Sequence, residues 1–235
     1  MQALKTLENG NIVYKLANKP IGGGNVYYAS RHSKKVQYFN ENTTGYSVSG
    51  SITIADGIAS GFSSNKWVYI SNVFAPGSKP WKSVTKVRFF SFTNNNTIIS
   101  YQYSGHASFQ VATKNGANAG KLVIYLSSDG SAKDIANNLM TSTAVVSTNT
   151  WYWVALVFTG TKYEVRLSAD KETWTTVITV NSSTPIYQNT QNSYGYNFST
   201  YPEPLDGEID LKETYIEYDD KIWFRGDFPE GVFTN

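Results

Sequence analysis

The chain has no cysteine and only two histidines. Disulfides, thiolate catalysis and cysteine-ligated zinc are therefore excluded, and a three-histidine zinc site cannot be assembled. Neither His32 nor His106 lies in a nucleophile or metal motif, and His32 within "SRHSKK" reads as a surface residue. A Ser-His-Asp site needs a base held by an orienting group, and nothing local supplies one. Charge is scarce as well: Asp, Glu, Lys and Arg make up 16% of the 235 residues, against roughly a quarter in soluble proteins. The net charge is +2, so no field over the whole molecule would hold a polyanion, and nucleic acid is not expected as a partner. No apolar run approaches the ~18 residues of a membrane span, so no membrane insertion is expected. The start "MQALKTLENGNIVYKL" lacks the continuous apolar region of a signal peptide, so the expectation is a soluble protein not exported by that route.

Ser, Thr, Asn and Tyr stand where charges are missing, and aromatics reach 15%. A surface of neutral polar and aromatic groups suits contacts made by stacking and hydrogen bonding, as in extracellular and virion β-proteins. The charge is also uneven. Residues 1–46 hold six basic residues (Lys5, Lys15, Lys19, Arg31, Lys34, Lys35) and two acidic ones (Glu8, Glu41), giving +4, and the remainder gives −2. This leading segment includes "KPIGGGNVYYASRHSKK" and has weak periodicity. It reads as a basic arm or extension over 1–48, able to dock on an acidic neighbour or to stay solvated, with an integral edge of the domain as the alternative.

From about residue 49 the dominant pattern is short strands separated by turn clusters. In "KYEVRLS", Tyr163, Val165 and Leu167 alternate with Lys162, Glu164 and Arg166, as a strand with one buried face requires. "WYWVALVF" (151–158) is apolar on both faces, hence a central strand, and "TGT" (159–161) joins the two as a tight hairpin connection. Further strands are "SITIADG" (51–57), "KWVYISNVF" (66–74), "KVRFFSF" (86–92), "TIISYQY" (97–103), "GKLVIYLSSDG" (120–130) and "WTTVITV" (174–180). Only 131–140 admits a short helical turn. More than ten strands with almost no helix predict an all-β fold of two packed antiparallel sheets over 49–235.

Four stretches carry a resemblance: "SGSITIADGIASGFSSNKWVYI" (49–70), "GKLVIYLSSDG" (120–130), "NTWYWVALVFTGTKYEVRLSADKETWTTVITVNSSTPIY" (149–187) and "DGEIDLKETYIEYDDKIWFRG" (206–226). They resemble the laminin-G-like branch of the concanavalin A-like lectin/glucanase superfamily, in versions found in bacteriophage virion proteins and bacterial surface proteins. The resemblance implies a jelly-roll sandwich and says more about fold than function. It also implies a non-enzymatic structural component of a phage tail, fibre or head decoration, assembled in the host cytoplasm. Other virion subunits, copies of itself and host surface glycans are its expected partners. A stand-alone carbohydrate-binding lectin module is the alternative.

"DGEIDLKE" (206–213) also spells E-x-D-x-x-E. Family 16 glycoside hydrolases share this superfamily's fold and place their carboxylates in that pattern. By that resemblance Glu208 would be the nucleophile, Asp210 the orienting carboxylate and Glu213 the acid/base, the two acting groups about 5–5.5 Å apart. A regular strand sends Glu208 and Asp210 to one face and Glu213 to the other, although a bulge restores it. Only 22 residues follow Glu213, and "YPEPLD" (201–206) lacks Trp. The glycosidase is therefore the lesser reading: no catalytic residues are assigned, and the three side chains are expected not to converge in a cleft.

Residues 203–220 hold eight acids and one base, Lys212. Laminin-G-like domains in some cases hold calcium on such a rim, but no EF-hand spacing is present, a solvated acidic edge is the preferred explanation and no metal ligands are assigned. For glycans the best candidates are Tyr187, Tyr194, Tyr196 and Tyr201 in "YQNTQNSYGYNFSTYPEP" (187–204), with Asn192 and Asn197 as hydrogen-bonding groups. Trp81 in the proline-rich loop "APGSKPWK" (75–82) is a second. Both stretches serve equally well as subunit contacts, since Tyr and Trp are enriched at protein interfaces.

Overall fold

The computed structural model of the protein describes residues 3–8, 11–16, 27–29, 47–70, 76–103, 106–131, 133–189, 191–197, 203–218 and 221–225. Within the basic leading segment, β1 (Ala3–Glu8), β2 (Asn11–Leu16) and β3 (Tyr27–Ala29) form an antiparallel three-stranded sheet of their own. The next strand, β4 (Ser47–Ser49), already belongs to the sandwich.

The "ADG" turn behaves as its letters require. Asp56 and Gly57 have φ of 51° and 80°, and together they join β5 (Thr53–Ala55) to β6 (Ile58–Ser60) in a two-residue hairpin. Two consecutive left-handed residues match the twist of the flanking strands, and Asp-Gly is a pair that tolerates them. β7 (Trp67–Ile70) follows, while residues 71–74 of that expected strand lie outside the described residues. β8 (Trp81–Phe89) starts well before the expected 86–92 segment. β9 (Asn96–Tyr103), β10 (His106–Thr113) and β11 (Leu122–Leu126) come next. Residues 131–140, where a helical turn was conceivable, instead contain β12 (Ala136–Met140). β13 (Trp151–Phe158) and β14 (Tyr163–Ser168) are joined through the Gly160 turn, with Thr159 N–H donating to the Lys162 carbonyl at 3.0 Å. β15 (Thr175–Val180), β16 (Asn192–Tyr194), β17 (Gly207–Tyr218) and β18 (Lys221–Arg225) complete the order. Among the described residues the only helical element is a 3-10 turn at Gly116–Asn118.

Two antiparallel sheets build the jelly-roll sandwich. One has seven strands in the order β12-β11-β10-β9-β16-β7-β4. The other has eight, β15-β14-β13-β8-β17-β6-β5, with β18 also paired to β17. Each sheet sends one side of its pleat inward: Val154, Leu156 and Phe158 from β13, Ile209, Leu211 and Ile216 from β17, and Ile99, Tyr101, Phe109, Val111 and Ile124 from the opposing sheet. Trp81 of β8 stacks on Phe109 of β10 at 5.6 Å between ring centroids, and lies 6.5 Å from Phe158 and 6.3 Å from Tyr163. This aromatic contact crosses the gap between the sheets. Trp81 is 3% exposed, which corrects its placement in a solvent loop: the proline-rich stretch ends one residue earlier, and the indole is the first inward side chain of β8.

The Trp81→Ala variant is expected to lose about 3–5 kcal/mol of stability, the usual cost of deleting a large buried aromatic side chain. A urea unfolding curve with a lowered midpoint and unchanged slope is the measurement.

Candidate functional site

The outward face of the eight-stranded sheet follows from the same pleat. Along β8 the outward residues are Lys82, Val84, Lys86 and Arg88, flanked in register by β13 and β17. Lys82 faces Val157 and Glu217, Val84 faces Ala155 and Tyr215, Lys86 faces Trp153 and Asp210, and Arg88 faces Trp151 and Glu208. A basic column thus runs between an acidic column and an aromatic or apolar one. Directly opposite residues lie close enough for their side chains to pair.

They do pair. Lys82 meets Glu217 at 2.9 Å and Lys86 meets Asp210 at 2.9 Å. Arg88 donates through Nε, at 3.0 Å, and through one terminal nitrogen to the same Glu208 oxygen. On their other flank the cations lie against indoles: Lys86 is 4.7 Å from the Trp153 ring centroid and 5.3 Å from that of Trp151, and Arg88 is 5.0 Å from Trp151. Lys86 and Asp210 side chains are only 19% and 14% exposed, so their attraction is less screened than that of a surface pair. Beneath this layer Val84, Ala155 and Val157 form a small apolar cluster with Trp153, Trp174 and Tyr215 packed on it. That explains why "WYWVALVF" is apolar on both faces.

Glu213 reaches the same face through a bulge. From Asp210 to Tyr215 β17 takes five steps where β8 takes two, from Lys86 to Val84. The extra chain is anchored by the Asp-Gly hairpin: Leu211 N–H donates to the Gly57 carbonyl at 2.8 Å, and the Lys212 stem lies where a Gly57 Cβ would stand. Thr214 turns inward and its hydroxyl donates to the Asp210 carbonyl at 2.9 Å. The regular-strand geometry, which sends Glu213 to the opposite face, is corrected accordingly. Glu213 bonds the Lys171 ammonium. Partial burial pushes its carboxyl up, but Lys171 and the charge of Lys86 outweigh this and hold it below the ordinary glutamate range.

Lys171 is presented by a turn that Asp170 organises. The Asp170 carboxylate accepts from the N–H of Glu172 at 2.9 Å and of Thr173 at 2.7 Å, and from the Ser168 hydroxyl at 3.0 Å. The backbone donors of Thr173 and Glu172 lead in pulling its pKa down to about 2. Trp174 closes the turn, its indole N–H donating to the Lys171 carbonyl at 2.9 Å.

Gly207 sets β17 against β8. A Cβ at this position would lie 2.1 Å from the Arg88 carbonyl oxygen, so only glycine allows the strand to start at this distance. The arrangement can offer indole faces, carboxylate acceptors and guanidinium donors on one rigid sheet. Among the described residues no group of three or more acidic or histidine side chains is placed to hold a metal ion.

The aromatic candidates from the sequence lie elsewhere. Trp81 and Tyr194 are core residues, 3% and 0% exposed. Tyr196 is 7% exposed and stacks on Trp67 at 4.9 Å. Burial removes these three from glycan contact; for Tyr194 the reason is that β16 inserts between β9 and β7, which draws its ring into the core. Asn192 and Asn197 are buried too, Asn197 accepting from Glu203 N–H at 2.8 Å. Tyr187 is half-buried and lies over Gly130. Tyr201 lies outside the described residues. Trp151, Trp153, Lys86 and Arg88 were missed as a group. The readable signal was the period-two alternation of bases in 82–88, acids in 208–210 and indoles in 151–153.

No family model matches the chain, and no curated protein matches it in sequence. Solved structures do match in fold. A structure described as a receptor binding domain superposes with a TM-score of 0.52 at 14% identity, covering 89% of this chain and 48% of the other. The binding domain of botulinum neurotoxin serotype C1 gives 0.50 at 11% identity, covering 94% and 48%. The carbohydrate binding module CBM66 from Bacillus subtilis gives 0.47 at 10% identity, covering 77% and 99%. The chain spans about half the length of the two binding domains. At these identities the likeness is one of fold alone, a two-sheet β-sandwich.

Replacing Lys86 by Met leaves the partly buried Asp210 carboxylate with the Lys212 backbone N–H, at 3.1 Å, as its one remaining partner among the described residues. A loss of about 1–3 kcal/mol is expected, the usual cost of stranding a partly buried charged group, read from the urea midpoint. The depressed Asp170 pKa has a defined sign: its contribution to stability is complete above the ordinary value of 3.8 and is lost as pH falls toward 2. An NMR titration is expected to place the Asp170 carboxyl midpoint near pH 2.

Proposed function

We propose that the chain is a non-enzymatic recognition module that binds glycans on the outward face of its eight-stranded sheet. One observation carries this reading: Trp151 and Trp153 stand beside two cross-strand ion pairs, Lys86–Asp210 and Arg88–Glu208, on a single face. Indoles present flat apolar surface to the C–H side of a sugar ring, and flanking carboxylates and guanidinium groups exchange hydrogen bonds with its hydroxyls. Two solved structures of this fold, with TM-scores of 0.52 and 0.50, are described as binding domains, which supports a recognition role by analogy.

The electrostatics argue against hydrolysis. A glycosidase acid/base must hold its proton near neutral pH, so its pKa has to be raised. Glu213 is displaced the other way by Lys171 and Lys86. Glu208 and Asp210 are each engaged by a cation of their own. The three carboxylates thus share a face as parts of an ion-pair lattice.

The stand-alone lectin reading is preferred to the phage-particle reading, which rests on the sequence resemblance alone. A virion setting, with repeated copies multiplying weak contacts, is compatible with the same binding face.

The purified chain is expected to bind at least one glycan on an array, and Trp151→Ala to weaken it by about tenfold, the value of a stacked aromatic contact. A blank array would count against the proposal. Incubation with β-glucans and galactans is expected to release no product. Turnover by the wild type that Glu208→Gln abolishes would replace binding with catalysis.

A further inference from the structure

At one end of the face the hydrogen-bonding groups of an ion pair are only half used. Arg88 Nε and one terminal nitrogen both donate to Oε2 of Glu208. The other carboxylate oxygen, Oε1, and the other terminal nitrogen make no hydrogen bond to a described residue, and neither belongs to the buried polar atoms without partners. An acceptor and a donor of one ion pair are therefore both left within reach of solvent. Trp151 flanks the guanidinium at 5.0 Å from its ring centroid, and Phe90, 43% exposed, flanks it at 5.8 Å.

Each carboxylate on the face is matched by a cation, and Glu164 by two. Glu164 is held by Lys162 and Arg166, both at 2.5 Å. Glu208, Asp210, Glu213 and Glu217 each have a cation in contact. A carboxylated or sulfated sugar approaching Arg88 would find the cation neutralised and the Glu208 carboxylate beside it. A neutral sugar meets no such opposition: one hydroxyl of a vicinal diol donates to Oε1, the neighbouring hydroxyl oxygen accepts from the guanidinium, and the ring rests on indole or phenyl.

We infer that this face selects uncharged glycans and holds them by a vicinal diol at the Arg88–Glu208 pair beside Trp151 and Phe90. The assignment deepens the glycan-binding reading and rests on it. Binding of this kind releases few ions and depends little on salt.

The test is calorimetric titration of the full chain with cellotetraose, maltotetraose and galactotetraose, and with sialyllactose and a heparin tetrasaccharide, at about 50 and about 500 mM sodium chloride. A neutral oligosaccharide is expected to bind with an affinity that changes by less than about twofold between the two salts. Arg88→Lys keeps the charge but loses the fork, and Glu208→Gln keeps the shape but loses the carboxylate. Each is expected to weaken binding by about tenfold or more while retaining the wild-type circular dichroism spectrum. Binding confined to the anionic sugars and weakened by salt would overturn the selectivity and leave glycan binding standing. Neutral-sugar binding unchanged in both variants would overturn the assignment to this pair. No binding to any of the sugars would remove both this inference and the reading beneath it.

Discussion

The pairing of β8 with β17 governs both sides of the larger sheet. Gly207 lets the two backbones close at the Arg88 carbonyl, and from that point the register places Glu208 opposite Arg88 and Asp210 opposite Lys86. A slip of one residue would turn every side chain over. Lys86 and Arg88 would then enter the core beside Phe109, while Val87 and Phe89 would face water. The ion pairs outside and the Trp81–Phe109 contact inside are thus alternatives to the same error, and each penalises it independently.

The outer lattice also covers apolar surface. Val84, Ala155 and Val157 are buried on the side away from the main core, beneath the rings of Trp153, Trp174 and Tyr215, with Lys86 over Trp153 and Lys82 over Tyr215. Long cationic side chains do this readily, since their methylene stems stay on apolar surface while their heads stay near water. The column of bases on β8 is therefore structural before it is functional. The charges are fixed in place by the layer they help to cover.

Fold class was legible because it depends on local alternation. Tyr163 and Val165 did turn inward, and Asp56-Gly57 did form the hairpin, because pleat and turn chemistry operate over a few residues. The site was not legible from the same signals. Tyr194 and Tyr196 look like a polar aromatic loop, yet β16 pairs with β9 and β7, which are remote in sequence. Nothing local marks Asn192–Tyr194 as a strand buried on both sides. Trp151, Arg88 and Glu208 show the converse case. Each lies on a strand expected from the sequence, but their adjacency is a property of sheet order, set by pairings between residues more than fifty positions apart.

"DGEIDLKE" illustrates what a motif carries and what it leaves to context. Its spacing does produce a bulged strand with three carboxylates on one side, held by the Gly57 hairpin and Thr214. Whether such carboxylates are chemical or structural is decided by the cations around them, which stand elsewhere in the chain: Lys86 and Arg88 on β8, and Lys171 in the turn before β15. Those cations keep Glu213 ionised, and they also hold Glu208 and Asp210 in single orientations. Side chains ordered in this way lose little freedom when a ligand arrives, so weak polar contacts count more fully toward affinity. The features that make the face unsuited to proton transfer are the ones that preorganise it for recognition.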